Sequence, residues 1–261
     1  MQIANELRAA IAQGELLLHY QPKWDATTGV PIGAEALVRW MHPARGLMPP
    51  DSFIPLAERT GLIVPLGEWV LYEACRQMRL WRDAGHGDWT IAVNLSPQQF
   101  VHAGLAQTVR EALRRHELEP SCLILEITES TAMRDVELSL AVLRQLRETG
   151  VQIAIDDFGT GYSSLLYLKR LPATEMKIDR GFIRDLVRGT EDSAIVAAIV
   201  ALGRTLNLRI VAEGVETSAQ RAFLTQLGVD TLQGFLLGRP MTADAFIAAV
   251  SPVAPVAISQ R

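Results

Sequence analysis

Glu35, Glu126, Asp156, Asp157 and Glu213 each stand near the end of an apolar or alternating run, and Asn94, Lys177, Asp179 and Gln233 hold comparable positions in others. Alternate residues of a strand point to opposite sides. In TIAVNLS, Ala92, Asn94 and Ser96 therefore share one face, and the bulkier Ile91, Val93 and Leu95 share the other. By the same parity Gly33, Glu35, Leu37 and Arg39 point together, as do Ile124, Glu126 and Thr128, and as do Ala154 and Asp156. One face is small, then acidic. Taken singly, a strand-end carboxylate is most simply a loop cap or a partner for arginine. Gathered at one mouth, these carboxylates could not all stay ionised without compensation, and Lys177 and Arg39 are too few to supply it. Divalent cations are the natural compensation, and a set of carboxylates with one amide favours Mg²⁺ or Mn²⁺ over Zn²⁺. The neighbouring Asp156 and Asp157 would let two ions share a carboxylate, which suits in-line displacement at phosphorus. The five histidines, His19, His42, His86, His102 and His116, are scattered at strand starts, loops and helix ends and suggest no zinc or iron centre.

The elements that must position these groups follow from periodicity. Strand-like runs fall near 15–24, 30–40, 90–96, 123–128, 152–157, 175–179, 209–215 and 231–236, and helical patterns near 65–83, 104–116, 135–149, 191–206 and 217–227. Gly85, Gly150 and Gly228 follow helical runs where a left-handed cap is expected, and Thr217 precedes one as an N-cap. Alternation of strands and helices implies parallel pairing and, with eight strands, a closed barrel whose chemistry lies at the C-terminal strand ends. Residues 25–29 (DATTG) leave room only for a hairpin turn between the first two strands. The expected fold is thus α/β, a modified TIM (β/α)8 barrel with one antiparallel strand near the N-terminus. A single domain is expected over 1–250 with a weakly ordered tail at 251–261, and the opening helix suits a domain cut from a longer chain.

Composition narrows the function. With 261 residues, 49% hydrophobic and 21% charged, the chain has enough apolar material for a large core. A formal net charge of −4 gives no overall basic surface, so DNA is not an expected partner and any nucleotide must be small and locally recognised. Cys75 and Cys122 lie in apolar segments and read as reduced core thiols of a cytoplasmic protein. No run is long and apolar enough for a membrane span.

The strings YQPKWD around Gln21, EALVRW around Arg39, FIPLAERTGLI from Phe53, VNLSPQQF from Val93, LEITES from Leu125, DDFGTGYSSL from Asp156, KID from Lys177, AEGVE from Ala212 and QGFLLGRP from Gln233 occur in this order. In them the sequence resembles the EAL-type cyclic di-GMP phosphodiesterases, named for the Glu-Ala-Leu found here at Glu35, Ala36 and Leu37. The resemblance implies hydrolysis of cyclic di-GMP to linear pGpG by water activated at two divalent ions, Mg²⁺ or Mn²⁺. It assigns Glu35, Asn94, Glu126, Asp156, Asp157 and Glu213 to metal, with Lys177 and Glu213 catalytic. Gln21, Leu37, Arg39, Asp179, Glu216 and Gln233 match positions of a substrate groove. Glu129 with the loop Phe158, Gly159, Thr160, Gly161, Tyr162 and Ser163 would couple the metal site to a homodimer contact. Sensory or diguanylate-cyclase-type domains in a longer chain are further implied partners. Phe235 and Pro240 are expected to pack in the core rather than on a guanine. Two other readings stand beside this one. A noncatalytic cyclic di-GMP receptor would be expected to lack one of these ligand positions, and a metal-dependent barrel lyase or aldolase would leave Gln21, Arg39 and Gln233 unexplained as one groove.

Overall fold

The computed structural model describes residues 2–161, 165–186 and 190–251. Helix α1 (Gln2–Gln13) leads into β1 (Leu16–Asp25), β2 (Pro31–His42) and the short β3 (Gly46–Met48). Helices α2 (Ile54–Thr60) and α3 (Ile63–Asp83) precede β4 (Thr90–Asn94), and α4 (Pro97–Phe100) and α5 (Leu105–Arg115) precede β5 (Leu123–Thr128). Then come α6 (Glu129–Arg134), α7 (Val136–Glu148), β6 (Gln152–Phe158), α8 (Leu165–Leu168), β7 (Glu175–Ile178), α9 (Arg180–Arg184) and α10 (Thr190–Thr205). The chain closes with β8 (Arg209–Ala212), α11 (Ser218–Leu227), β9 (Thr231–Leu232) and α12 (Ala243–Val250).

The sheet closes on itself. Strands β2 and β4 to β9 run parallel in sequence order, and β1 pairs antiparallel with both β2 and β9, completing the ring. The turn that reverses β1 into β2 is built by Asp25, whose Oδ1 accepts from the backbone N–H groups of Thr27 and Thr28 and from the Thr28 hydroxyl. Such an Asx turn replaces the backbone bonds that a tight reversal forfeits. Helices wrap the outside because their apolar residues recur every three or four positions. In α3, Ile63, Leu66, Val70, Leu71, Ala74, Met78 and Trp81 are all buried. Tyr20 on β1, Trp81, Trp89 and Phe246 on α12 form one aromatic cluster, with Trp81 and Phe246 stacked at 4.8 Å. Inside the barrel, Ala92, Ile124 and Ala154 make a separate small cluster below the acidic residues, matching the inward face that strand parity predicts.

Several boundaries differ from expectation. Four strands end earlier than their apolar patterns: β4 at Asn94, β7 at Ile178, β8 at Ala212 and β9 at Leu232. At the mouth the chain leaves the ladder to present side chains. Asp179 caps α9 by accepting from the Gly181 N–H, and Gly214 adopts φ +69 beyond β8. Glu213 and Gln233 therefore project from loops just past their strands. Helices α2, α6 and α12 and strand β3 were not expected; all are short, and short apolar runs carry little periodicity. The three predicted cap glycines do take left-handed backbone, with φ +100 at Gly85, +95 at Gly150 and +84 at Gly228. Cys75 and Cys122 are free and buried, and burial pushes their thiols up to about 12 and about 11. Among the described residues no helix is long and apolar enough to cross a membrane. The expected tail lies outside the described residues except for Ser251.

Candidate active site

Register brings the acidic residues together. Glu35 on β2 lies opposite Ala92 on β4, Asn94 opposite Glu126 on β5, and Thr128 opposite Asp156 on β6, so the polar positions climb the slant of the barrel to one mouth. From β7, Lys177 reaches into their midst and is almost completely buried. Its Nζ lies 2.5 Å from Glu126 Oε2, 2.7 Å from Glu213 Oε1, 3.2 Å from Asp156 Oδ2 and 3.7 Å from Glu35 Oε2. Glu35 is gripped further by the Asn94 amide at 2.6 Å and the Gln233 amide at 2.6 Å, and Gln233 also donates to Gln21 Oε1 at 3.1 Å.

This crowd of charge is unbalanced. Burial favours neutral carboxyls, and neighbouring carboxylates add to that. Glu126 is held well above the usual carboxylate range by burial, which outweighs the attraction of Lys177. Glu213 is pushed up to about 8 by burial, with Asp156 and Glu35 adding to it. Asp157, in left-handed backbone at φ +53, is raised by burial and then by Asp156 and Asp179. Glu35 goes the other way: burial would raise it, but Lys177 and the donors Gln233 and Asn94 prevail. Lys177 is likewise kept cationic, since Glu126, Glu213, Glu35 and Asp156 outweigh its burial. Glu126 Oε1 is buried and accepts no hydrogen bond. Among the described residues no three acidic, histidine or cysteine groups stand as a ready-made ligand set, and the ammonium of Lys177 lies among the carboxylates. The donor set fits hard divalent cations nonetheless: it is all oxygen, it carries more negative charge than Lys177 can balance, and one carboxylate oxygen lacks any donor.

Of the residues expected to line a groove, Gln21, Leu37, Glu216 and Gln233 line one cavity beside this cluster, and Arg39 and Asp179 do not line it. A cavity of about 230 Å³ is lined by Gln21, Glu35, Leu37, Asp156, Glu213, Glu216 and Gln233, together with Arg180, which strand parity could not place because it lies on α9. A larger and more apolar cavity of about 450 Å³, which Asn94 lines, shares Leu37 with it. Arg39 is half-buried, with its guanidinium on the Val38 carbonyl at 2.9 Å. Asp179 serves as a helix cap and faces Asp157. Phe235 does not enter the core: its ring is exposed under the Arg239 guanidinium at 4.1 Å, since β9 ends before it. Pro240 is half-buried and likewise lies outside the buried core. In the loop after β6, the buried Glu129 accepts from the Gly159 N–H at 2.8 Å, and a Cβ on Gly161 would crowd the same carboxylate. Phe158 is buried and Thr160 exposed; Tyr162 and Ser163 lie outside the described residues.

The sequence model of the EAL domain matches residues 4–240. The chain belongs to the EAL-domain family. It is 66% identical over 251 residues to the bifunctional diguanylate cyclase/cyclic di-GMP phosphodiesterase MucR of Pseudomonas aeruginosa, covering 96% of this chain and 37% of MucR. It is 45% identical to the cyclic di-GMP phosphodiesterase NbdA of the same organism, covering 94% of this chain and 31% of NbdA. The chain thus spans about a third of the length of these relatives. Among solved structures, the PaMucR phosphodiesterase in complex with c-di-GMP matches with TM-score 0.91 and 67% identity over 94% of this chain and 100% of that one. The EAL enzyme Bd1971, bound to cAMP and cyclic-di-GMP, matches with TM-score 0.90 and 30% identity over 96% of this chain and 68% of that one.

Proposed function

We propose that this EAL domain works in the cytoplasm and hydrolyses one phosphodiester bond of cyclic di-GMP, giving linear pGpG. The observation that carries the reading is the convergence of Glu35, Glu126, Asp156 and Glu213 on Lys177, an acidic mouth with a surplus of negative charge beside a groove. Membership of a family whose relatives bear the phosphodiesterase name supports the substrate.

Glu35, Asn94, Glu126, Asp156, Asp157 and Glu213 would hold two Mg²⁺ or Mn²⁺ ions. Such ions lower the pKa of water and neutralise charge developing on phosphoryl oxygens. Asn94 and Gln233 fix the Glu35 carboxylate in one orientation, so that it is aimed before substrate arrives. Lys177, kept cationic by its neighbours, cannot take a proton and instead stabilises negative charge on the attacking oxygen. Glu213, pushed up to about 8 by burial in the metal-free site, would give up its proton as an ion binds and then help hold the attacking water beside Lys177. Gln21, Leu37, Glu216 and Gln233 would line the groove for the dinucleotide, with Asp179 near its end at the α9 cap, and Arg39 suits a phosphate oxygen. Glu129 tethers the loop at Gly159 and would link the site to a homodimer contact, in a chain that also carries sensory or cyclase-type domains.

The test is incubation of the protein with cyclic di-GMP and Mg²⁺ or Mn²⁺, followed by chromatography. The wild type is expected to release pGpG and the Glu35→Ala variant none; binding without product would replace the enzyme with a receptor.

A further inference from the structure

Beneath the carboxylates the barrel holds a second charged set that the mechanism above does not use. Lys23 on β1 is 2% exposed, on the inward face shared with Gln21 and opposite Gly33. Its Nζ donates to Glu175 Oε2 at 3.2 Å and lies 3.9 Å from Glu126 Oε1. Glu175, the first residue of β7, is 3% exposed, and its other oxygen lies 2.5 Å from the half-exposed Arg209 guanidinium at the start of β8. Arg209 is anchored in turn on the Gln152 side chain. A line of alternating charge therefore runs from the barrel floor through Lys23 to Glu126.

Glu126 is 0% exposed and stands between two ammonium groups, Lys177 on Oε2 and Lys23 on the side of Oε1. Among the described residues Lys177 is shared among four carboxylates, whereas Lys23 has only Glu175 and Glu126 within ion-pair distance. At 3.9 Å, Lys23 is too far to hydrogen-bond Oε1 but near enough to orient it and balance its charge. We infer that Lys23, anchored by Glu175 and Arg209, is a positioning residue that holds Glu126 as an aimed, charge-balanced ligand with Oε1 free for a divalent cation. This rests on the metal reading of the site. Outer partners of metal ligands commonly set affinity in this way.

The test is Mn²⁺ binding by electron paramagnetic resonance, with thermal melts in EDTA, on wild type, Lys23→Met and the double variant Lys23→Met/Glu175→Met. Replacing a buried ion pair by apolar residues of similar volume commonly restores stability. The single variant should bind Mn²⁺ about tenfold more weakly or worse. The double variant should regain the wild-type melting temperature without regaining Mn²⁺ affinity. Should the single variant fail to fold, the double variant decides alone. Wild-type affinity in either variant would overturn the inference and leave the pair a purely structural one. A wild type that binds no Mn²⁺ would instead overturn the metal reading, and this inference with it.

Discussion

The Asn94 amide donates to Glu35 Oε1 at 2.6 Å and so ties β4 to its neighbour β2 at the mouth of the barrel. The bond fixes one oxygen of a carboxylate whose other oxygen accepts from Gln233 and faces Lys177. A hydrogen bond to a charged group contributes about 1.5–3 kcal/mol. Asn94→Ala should therefore lower metal-free stability by about 2 kcal/mol in urea titration, and turnover by about tenfold or more if Asn94 orients a metal ligand.

Lys177 is the only cation bonded to Glu126, Asp156 and Glu213 together among the described residues. Lys177→Met leaves those carboxylates facing one another. At pH 8 in EDTA the loss should be about 3–5 kcal/mol, the range for breaking a buried pair, with a smaller loss at pH 5 where protons do the same work. Added Mn²⁺ should raise the melting temperature of the variant more than that of the wild type. The maximal rate should fall by about a thousandfold, as for a group acting on charge in the transition state. A variant as fast as the wild type would remove Lys177 from the chemistry.

The elevated proton affinity of Glu213, about 8 against an unfolded value of 4.5, has a definite sign. Between those values the folded protein holds a proton that the unfolded chain has released. The resulting stability is present below pH 4.5 and is lost as pH rises toward 8. Metal-free protein melted in EDTA across this window should become less stable with rising pH, and Glu213→Gln should flatten the slope. Divalent ions compete for the ionised form, so Mn²⁺ binding should release protons. Calorimetry in buffers of different ionisation enthalpy measures that release directly.

Gln220 connects the groove to its support. Its Oε1 accepts from the N–H groups of Glu216 and Thr217, while its Nε2 donates to the carbonyls of Ile183 and Arg184 at the end of α9. Gln220→Ala strands several buried backbone groups and should cost about 2–3 kcal/mol. Because Glu216 and Arg180 line the groove, KM for cyclic di-GMP should rise more than kcat falls. Equal loss in both would place Gln220 outside substrate binding.

The parity of the strands makes the acidic ring legible in the sequence: Glu35, Glu126 and Asp156 converge because each sits two residues along its strand from Gly33, Ile124 or Ala154. Period alone also showed the reversed first hairpin, through DATTG. What it could not show is how Lys177 and Lys23 divide the ring between them, since long flexible side chains reach positions that strand parity does not fix. Phe235 was misplaced for a related reason. Its apolar run looks like strand, but Gly234 packs against the Val215 backbone so closely that a Cβ there would clash, and the chain turns outward after Gln233. Helices α2, α6 and α12 were too short for their apolar residues to establish a period.

Because β1 runs against β2, the first two strands pair through a short turn instead of a crossover, and this bears on the order in which the barrel assembles. Local pairing needs little loop closure, whereas sealing β1 to β9 joins segments some two hundred residues apart. We expect the hairpin to be the early kinetic nucleus, setting Gln21 beside Glu35 before the remaining strands arrive. Asp25→Ala, which removes the Asx turn, should then slow refolding more than it speeds unfolding, a split that stopped-flow chevrons resolve.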